Sequence, residues 1–180
     1  MTSADWRSDV LKFWFGLSDE DWWSAAPALD HRIKQQFHKL WGEQRRFPAE
    51  SFLADPLTAL AAVILFDQFP RNMFRGHADQ FATDHLALEI AKAAVERGLD
   101  DDLEPAERGF LYMPFQHSEA LADQRQSVNL FTRLGDDKQL GFARKHLDVI
   151  ERFGRFPHRN EILGRAPRPL EVAAGKVVPW

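Results

Sequence analysis

The chain has 180 residues, with 23 Lys and Arg against 27 Asp and Glu, a net charge of −4 that gives no global attraction for nucleic acid or anionic lipid. Cysteine is absent, which excludes disulfides, thiolate catalysis and cysteine-ligated metals and leaves His, Asp and Glu as the only metal ligands. Hydrophobic residues at 44% and charged residues at 28% are ordinary globular composition and exclude a disordered chain. Residues 1–10 lack the apolar stretch of a secretory signal, and Leu57–Phe66 is too short to span a bilayer. The expectation is a cytoplasmic protein forming one domain over 1–180, with an irregular tail from about 165.

Helical spacing dominates the chain. Val10, Leu11, Phe13, Trp14 and Phe15 follow Asp5 and end at Gly16, which predicts a short first helix. Asp30 is the candidate cap of a second, carrying Ile33, Phe37, Leu40 and Trp41. A third is predicted from Pro56 through Leu60, Ile64 and Leu65 to a stop at Phe69-Pro70. Leu86, Ile90, Ala93 and Ala94 mark a fourth, from Phe81 to Arg97, closed by Gly98. Glu104–Tyr112 starts a fifth, which Pro114 has to kink or end. The sixth runs from about Pro114 or His117 to Gly135, with His117, Leu121, Gln124, Val128 and Phe131 as one stripe. The seventh, Asp136–Arg155, aligns Leu140, Ala143, Leu147 and Ile150, and a short helix is expected around Leu170–Ala174. Strand signals are nearly absent, so the fold class is all-α, built from antiparallel helix hairpins.

Three polar stretches interrupt this pattern. Asp67 falls on the apolar side of the third helix near its expected C-terminus, where a carboxylate needs a cation. Arg71, Arg75, Arg155 and Arg159 are its candidate partners, and Asp67→Asn would strand one of them. Gln68 and Asn72 add amides beside it. His117-Ser118-Glu119, followed by Asp123-Gln124, places a titratable ring and an amide on a core-facing stripe. No second His four residues away completes a metal pair, so no metal site is assigned. Arg152, Arg155, His158, Arg159 and Arg165, with Asn160, form the most basic stretch of an acidic protein, suited to bidentate grip on a phosphate or carboxylate or to neutralising a helix end. Phe69-Pro70-Arg71-Asn72 recurs as Phe156-Pro157-His158-Arg159-Asn160, which suggests two similar corners.

Taken in order, Phe13-Trp14-Phe15-Gly16, Trp22-Trp23, Asp67-Gln68-Phe69-Pro70-Arg71-Asn72 with Arg75-Gly76, Tyr112-Met113-Pro114-Phe115 with His117-Ser118-Glu119 and Asp123-Gln124, and Arg152-Phe153-Gly154-Arg155-Phe156-Pro157-His158-Arg159-Asn160 with Leu163-Gly164-Arg165 resemble the bacterial family catalogued as domain of unknown function 924. The resemblance implies a tetratricopeptide-like right-handed superhelix of about seven to nine helices, and it carries no biochemical role. Ala166-Pro167-Arg168-Pro169-Leu170-Glu171 departs from the family's Thr-Pro-Glu-Glu helix start.

Two functional expectations follow. In the first, the three polar stretches converge on a cleft that binds a small anion. Its ligand-binding residues are Asp67, Gln68, Arg71, Asn72, Arg75, Ser118, Gln124, Arg155, His158, Arg159 and Asn160, with His117 and Glu119 as the proton-transfer pair and no cofactor. In the second, Trp6, Trp14, Trp22, Trp23 and Trp41 belong to a helical interaction module that grips a peptide or a second copy of itself. Nucleic acid and membrane are not expected partners.

Overall fold

The computed structural model describes residues 5–179, and every regular element among them is helical. None of these helices is long and apolar enough to cross a membrane. Packing gathers the chain into two compact units that divide after Leu111.

In the first unit, α1 (Trp6–Phe15) is capped by Asp5, whose carboxylate accepts the Arg7 N–H. Ser18 and Asp21 form a capping box that starts α2 (Asp19–Trp23), a helix that apolar periodicity did not reveal because none of its residues is buried. α3 (Pro27–Gln44) begins at its proline, so Asp30 lies inside the first turn and is not the cap expected from sequence. It buries Leu29, Ile33, Phe37 and Trp41.

Asp55 caps α4 (Pro56–Val63) through the Thr58 N–H, 2.9 Å away. The predicted stop at Phe69-Pro70 does not occur. The chain widens into a π-helical turn over Ile64–Gln68 and continues as α5 (Phe69–Met73). Pro70 has no N–H, so the Phe66 carbonyl has no donor four residues on. The wide turn pairs the Phe69 N–H with the Ile64 carbonyl instead. The released Phe66 carbonyl accepts the Thr83 hydroxyl at 2.6 Å, and Thr83 in turn accepts the Trp41 indole N–H at 3.1 Å. A tertiary partner outweighed the local rule. α6 (Asp84–Glu96) then closes at Gly98, whose φ of +69° is the left-handed conformation its sequence position implied.

α7 (Pro105–His117) carries Pro114 inside it and leads into the second unit, so the proline neither ends the helix nor starts the next one. His117 is therefore the last residue of α7, not the first of the stripe on α8 (Leu121–Leu134). Gly135, at φ +76°, and the cap Asp136 join α8 to α9 (Asp137–Phe153), and the two pack as a helix hairpin. α9 stops at Gly154, with φ +68°, and Val149, Ile150, Phe153 and Phe156 form a buried cluster beneath it. α10 (Pro169–Ala174) forms despite the divergent start, because the buried Glu171 accepts the Arg168 N–H at 2.7 Å.

Candidate functional site

The first unit encloses one polar cluster at the π turn. Asp67 is fully buried and accepts the Gln68 amide at 2.6 Å, with the Arg71 guanidinium 3.3 Å away. Arg71 also donates to the Asp67 carbonyl and makes two bonds of 2.9 Å to Asp84, a bidentate pairing that fixes its plane. Burial works against the Arg71 cation, but Asp67 and Asp84 together overcome it and raise its pKa. One turn on, Arg75 grips Asp30 with bonds of 2.7 and 2.9 Å, and Asn72 donates to the same carboxylate at 2.8 Å. Burial raises the Asp30 pKa less than Arg75 and Asn72 lower it. Asp67, Gln68 and Arg71 thus come together, as do Asn72 and Arg75, around two carboxylates that sequence reasoning had not assigned to them. Asp84 gave no signal, and Asp30 stood where a cap was plausible.

The second unit brings the other two polar stretches to one place. Phe156 is fully buried and is the hub. The His146 and His158 rings lie 5.5 and 5.6 Å from its centroid, and the Arg159 guanidinium lies 4.5 Å over its face. Arg159 also donates to the His117 carbonyl at 3.0 Å, which ties the end of α7 to the same spot. The His146 Nδ1 lies 2.8 Å from the Phe142 carbonyl. A carbonyl only accepts, so Nδ1 carries the proton and Nε2 the lone pair. Burial leads in pushing the His146 pKa down to about 3, the hydrogen bond to the Phe142 carbonyl opposes it, and His117, Arg159 and His158 each add a smaller downward push. Burial and Arg159 push His158 down to about 4, with Glu119 pulling weakly the other way. Both rings are neutral at pH 7.

Carboxylates frame this cluster. Glu119 accepts two bonds from Arg165, at 2.7 and 3.0 Å, and the Phe156 N–H at 2.7 Å. Its burial favours the protonated form, but Arg165, the Phe156 N–H and Arg159 outweigh it and lower the pKa. Arg165 continues to the Asn160 side chain at 3.0 Å, Asn160 to Glu171 at 3.0 Å, and Glu171 holds Arg155 with bonds of 2.6 and 2.8 Å. The Arg155 pairing leads the causes that lower the Glu171 pKa to about 2. Ser118 donates to Asp123 at 2.7 Å. Gln124 donates to the Gln116 and Ser118 carbonyls at 2.7 and 2.6 Å, closing the C-terminus of α7.

The echoed corners therefore differ. Phe69-Pro70 lies inside a continuous helix, whereas Phe156-Pro157 follows a glycine stop and opens a short 3₁₀ turn over Pro157–Arg159. His146 and Glu171 are the site residues that motif reading left out or undervalued. His146 is separated from the other rings in sequence and arrives through the α8–α9 hairpin, and Glu171 follows the departure from the family pattern. Among the described residues, no group of three or more His, Asp or Glu side chains can hold a metal ion.

The model for a family of bacterial proteins of unknown function, DUF924, matches residues 10–174. The chain belongs to that family. The solved structure of a protein of unknown function from Agrobacterium tumefaciens is similar to it at 38% identity and a TM-score of 0.87. The match covers 93% of this chain and 95% of that one. No curated protein matches the chain.

Proposed function

We propose that the second unit binds a small anion, a phosphate or carboxylate, at the cluster formed by His117, His146, His158 and Arg159, and that imidazole carries proton transfer to or from the bound ligand. The observation behind this reading is the gathering of a buried arginine and two neutral imidazoles around Phe156. Arginine supplies a fixed positive charge in bidentate geometry, and a neutral imidazole both donates and accepts. His117, at the helix end beside them, is the proton carrier of the proposal. Glu119, held ionised by Arg165, serves to position Phe156 and Arg165. Arg155 and Asn160 hold the frame with Glu171, and Asp67, Arg71, Asn72 and Arg75 serve the first unit's own cluster.

Calorimetry of the full chain with inorganic phosphate and with simple dicarboxylates tests this. A ligand at a hundred times its dissociation constant stabilises the fold by about 2.7 kcal/mol, and Arg159→Met should abolish that gain without unfolding the chain. If no phosphate or carboxylate compound binds the folded protein, the reading fails.

A second reading, a tetratricopeptide-like interaction module without catalysis, is favoured by Trp23, which is 49% exposed and stacked 6.0 Å from Phe110, and by the half-exposed Phe47. Trp14 and Trp41, by contrast, are buried in the core. The lack of cysteine accords with a reducing, cytoplasmic setting for either reading.

A further inference from the structure

On the second unit, away from the Phe156 cluster in its lining, α9 and the segment after α10 enclose an open groove of about 520 Å³. We infer that this groove is a docking site for an acidic, aliphatic peptide segment of a partner protein. Its floor is apolar, made by Val149 from α9 and by Val177 and Val178 from the C-terminal segment, and Val177 packs against the buried Val149–Phe156 cluster. Its rim is cationic, with Arg144, Lys145, Arg152 and Lys176 against a single carboxylate, Asp148. These side chains are exposed, and the α9 members recur at helical spacing so that they share one face.

Charge identifies the occupant. The whole chain carries −4, yet this groove carries a formal excess of three positive charges, from four cations and one anion. Among the described residues no carboxylate pairs with Arg144, Lys145 or Lys176, while Arg152 reaches Asp148 at 3.5 Å. A cationic rim over a valine floor complements a segment that alternates carboxylate and branched aliphatic side chains. Nucleic acid fits less well, because no aromatic ring lines the groove for base stacking. The concave shape does not match a flat lipid surface.

The test is fluorescence anisotropy of a labelled peptide alternating Glu with Val and Leu, added to the full chain, with a Lys-substituted version as control. The acidic peptide should bind and weaken as salt is raised, and the basic version should not bind. The double variant Arg144→Glu/Lys145→Glu should weaken binding on the order of tenfold, as should Lys176→Glu, which lies outside any helix and leaves α9 intact. Lys39→Glu, an exposed charge reversal on α3, should leave binding unchanged. Equal affinity for the groove variants, or binding of the basic peptide, overturns the inference. So does binding of anionic vesicles or single-stranded DNA without binding of the acidic peptide, or light scattering that shows the groove variants breaking a homodimer.

Discussion

The two units treat buried charge in opposite ways. In the first, arginine and carboxylate are matched within the cluster: Arg71 lies between Asp67 and Asp84, and Arg75 is held by Asp30. Its histidines, His31, His38, His77 and His85, are exposed. In the second, arginine–carboxylate pairs make a frame, and inside it imidazoles are forced neutral beside Arg159. Matched ion pairs lock helix ends together and leave little capacity for an exogenous anion, whereas a neutral imidazole beside a fixed cation contributes no opposing negative charge. Similar strings of arginine and aromatic residues along the sequence thus settle into different electrostatic arrangements.

The sharpest way to break the comparison is Arg71→Met. It leaves the fully buried Asp67 without its guanidinium, and should cost about 3–5 kcal/mol in urea unfolding. A loss below 1 kcal/mol would show that the first cluster is solvated and not matched.

The pH dependence should separate the units next. A histidine whose folded pKa lies below its unfolded value near 6.5 contributes stability that is fully present above that value and is lost as pH falls toward the folded pKa. For His146 and His158 the window therefore runs from about 6.5 down to about 3–4, and its upper part, above about pH 5, precedes the range where ordinary carboxylates protonate. Hydrogen exchange should show protection falling in residues 112–179 between pH 7 and pH 5 by a few kcal/mol, with the first unit little changed, and His146→Phe should flatten that slope. Equal loss in both units would remove the distinction.

Arg165→Met should cost about 2 kcal/mol by thermal unfolding, since it strips the half-buried Glu119 of its bidentate partner and leaves it the Phe156 N–H and the more distant Arg159 charge. The smallest effect is expected for Asp67→Asn. Position alone suggested that neutralising Asp67 strands an arginine, but Arg71 keeps both bonds to Asp84. Unfolding should therefore shift by only about 1 kcal/mol, and a loss as large as that of Arg71→Met would show that Asp84 does not share the load.

Apolar periodicity, glycine stops and proline starts determined the helical class and most helix bodies, because these signals act within a few residues of themselves. Gly98 and Gly135 end helices in the left-handed conformation as their positions implied, whereas Gly154 stops α9 before its expected end at Arg155. Local signals failed where a distant group supplied the missing partner. Pro70 reads as a stop, but Thr83 satisfies the carbonyl that proline leaves orphaned, and the helix runs on. Pro114 reads as a break, and α7 passes through it while Gln124 closes its end. Position along the chain showed that Asp67 needs a cation and offered Arg71, Arg75, Arg155 and Arg159. Only tertiary packing decided that Arg71 would meet it together with Asp84, that Glu171 would hold Arg155 and Arg165 hold Glu119, and that His146, on a separate helix, would reach the same phenylalanine as His158 and Arg159. Pairing over such separations depends on how helix faces meet, a property of the packed fold that no single stretch of sequence encodes.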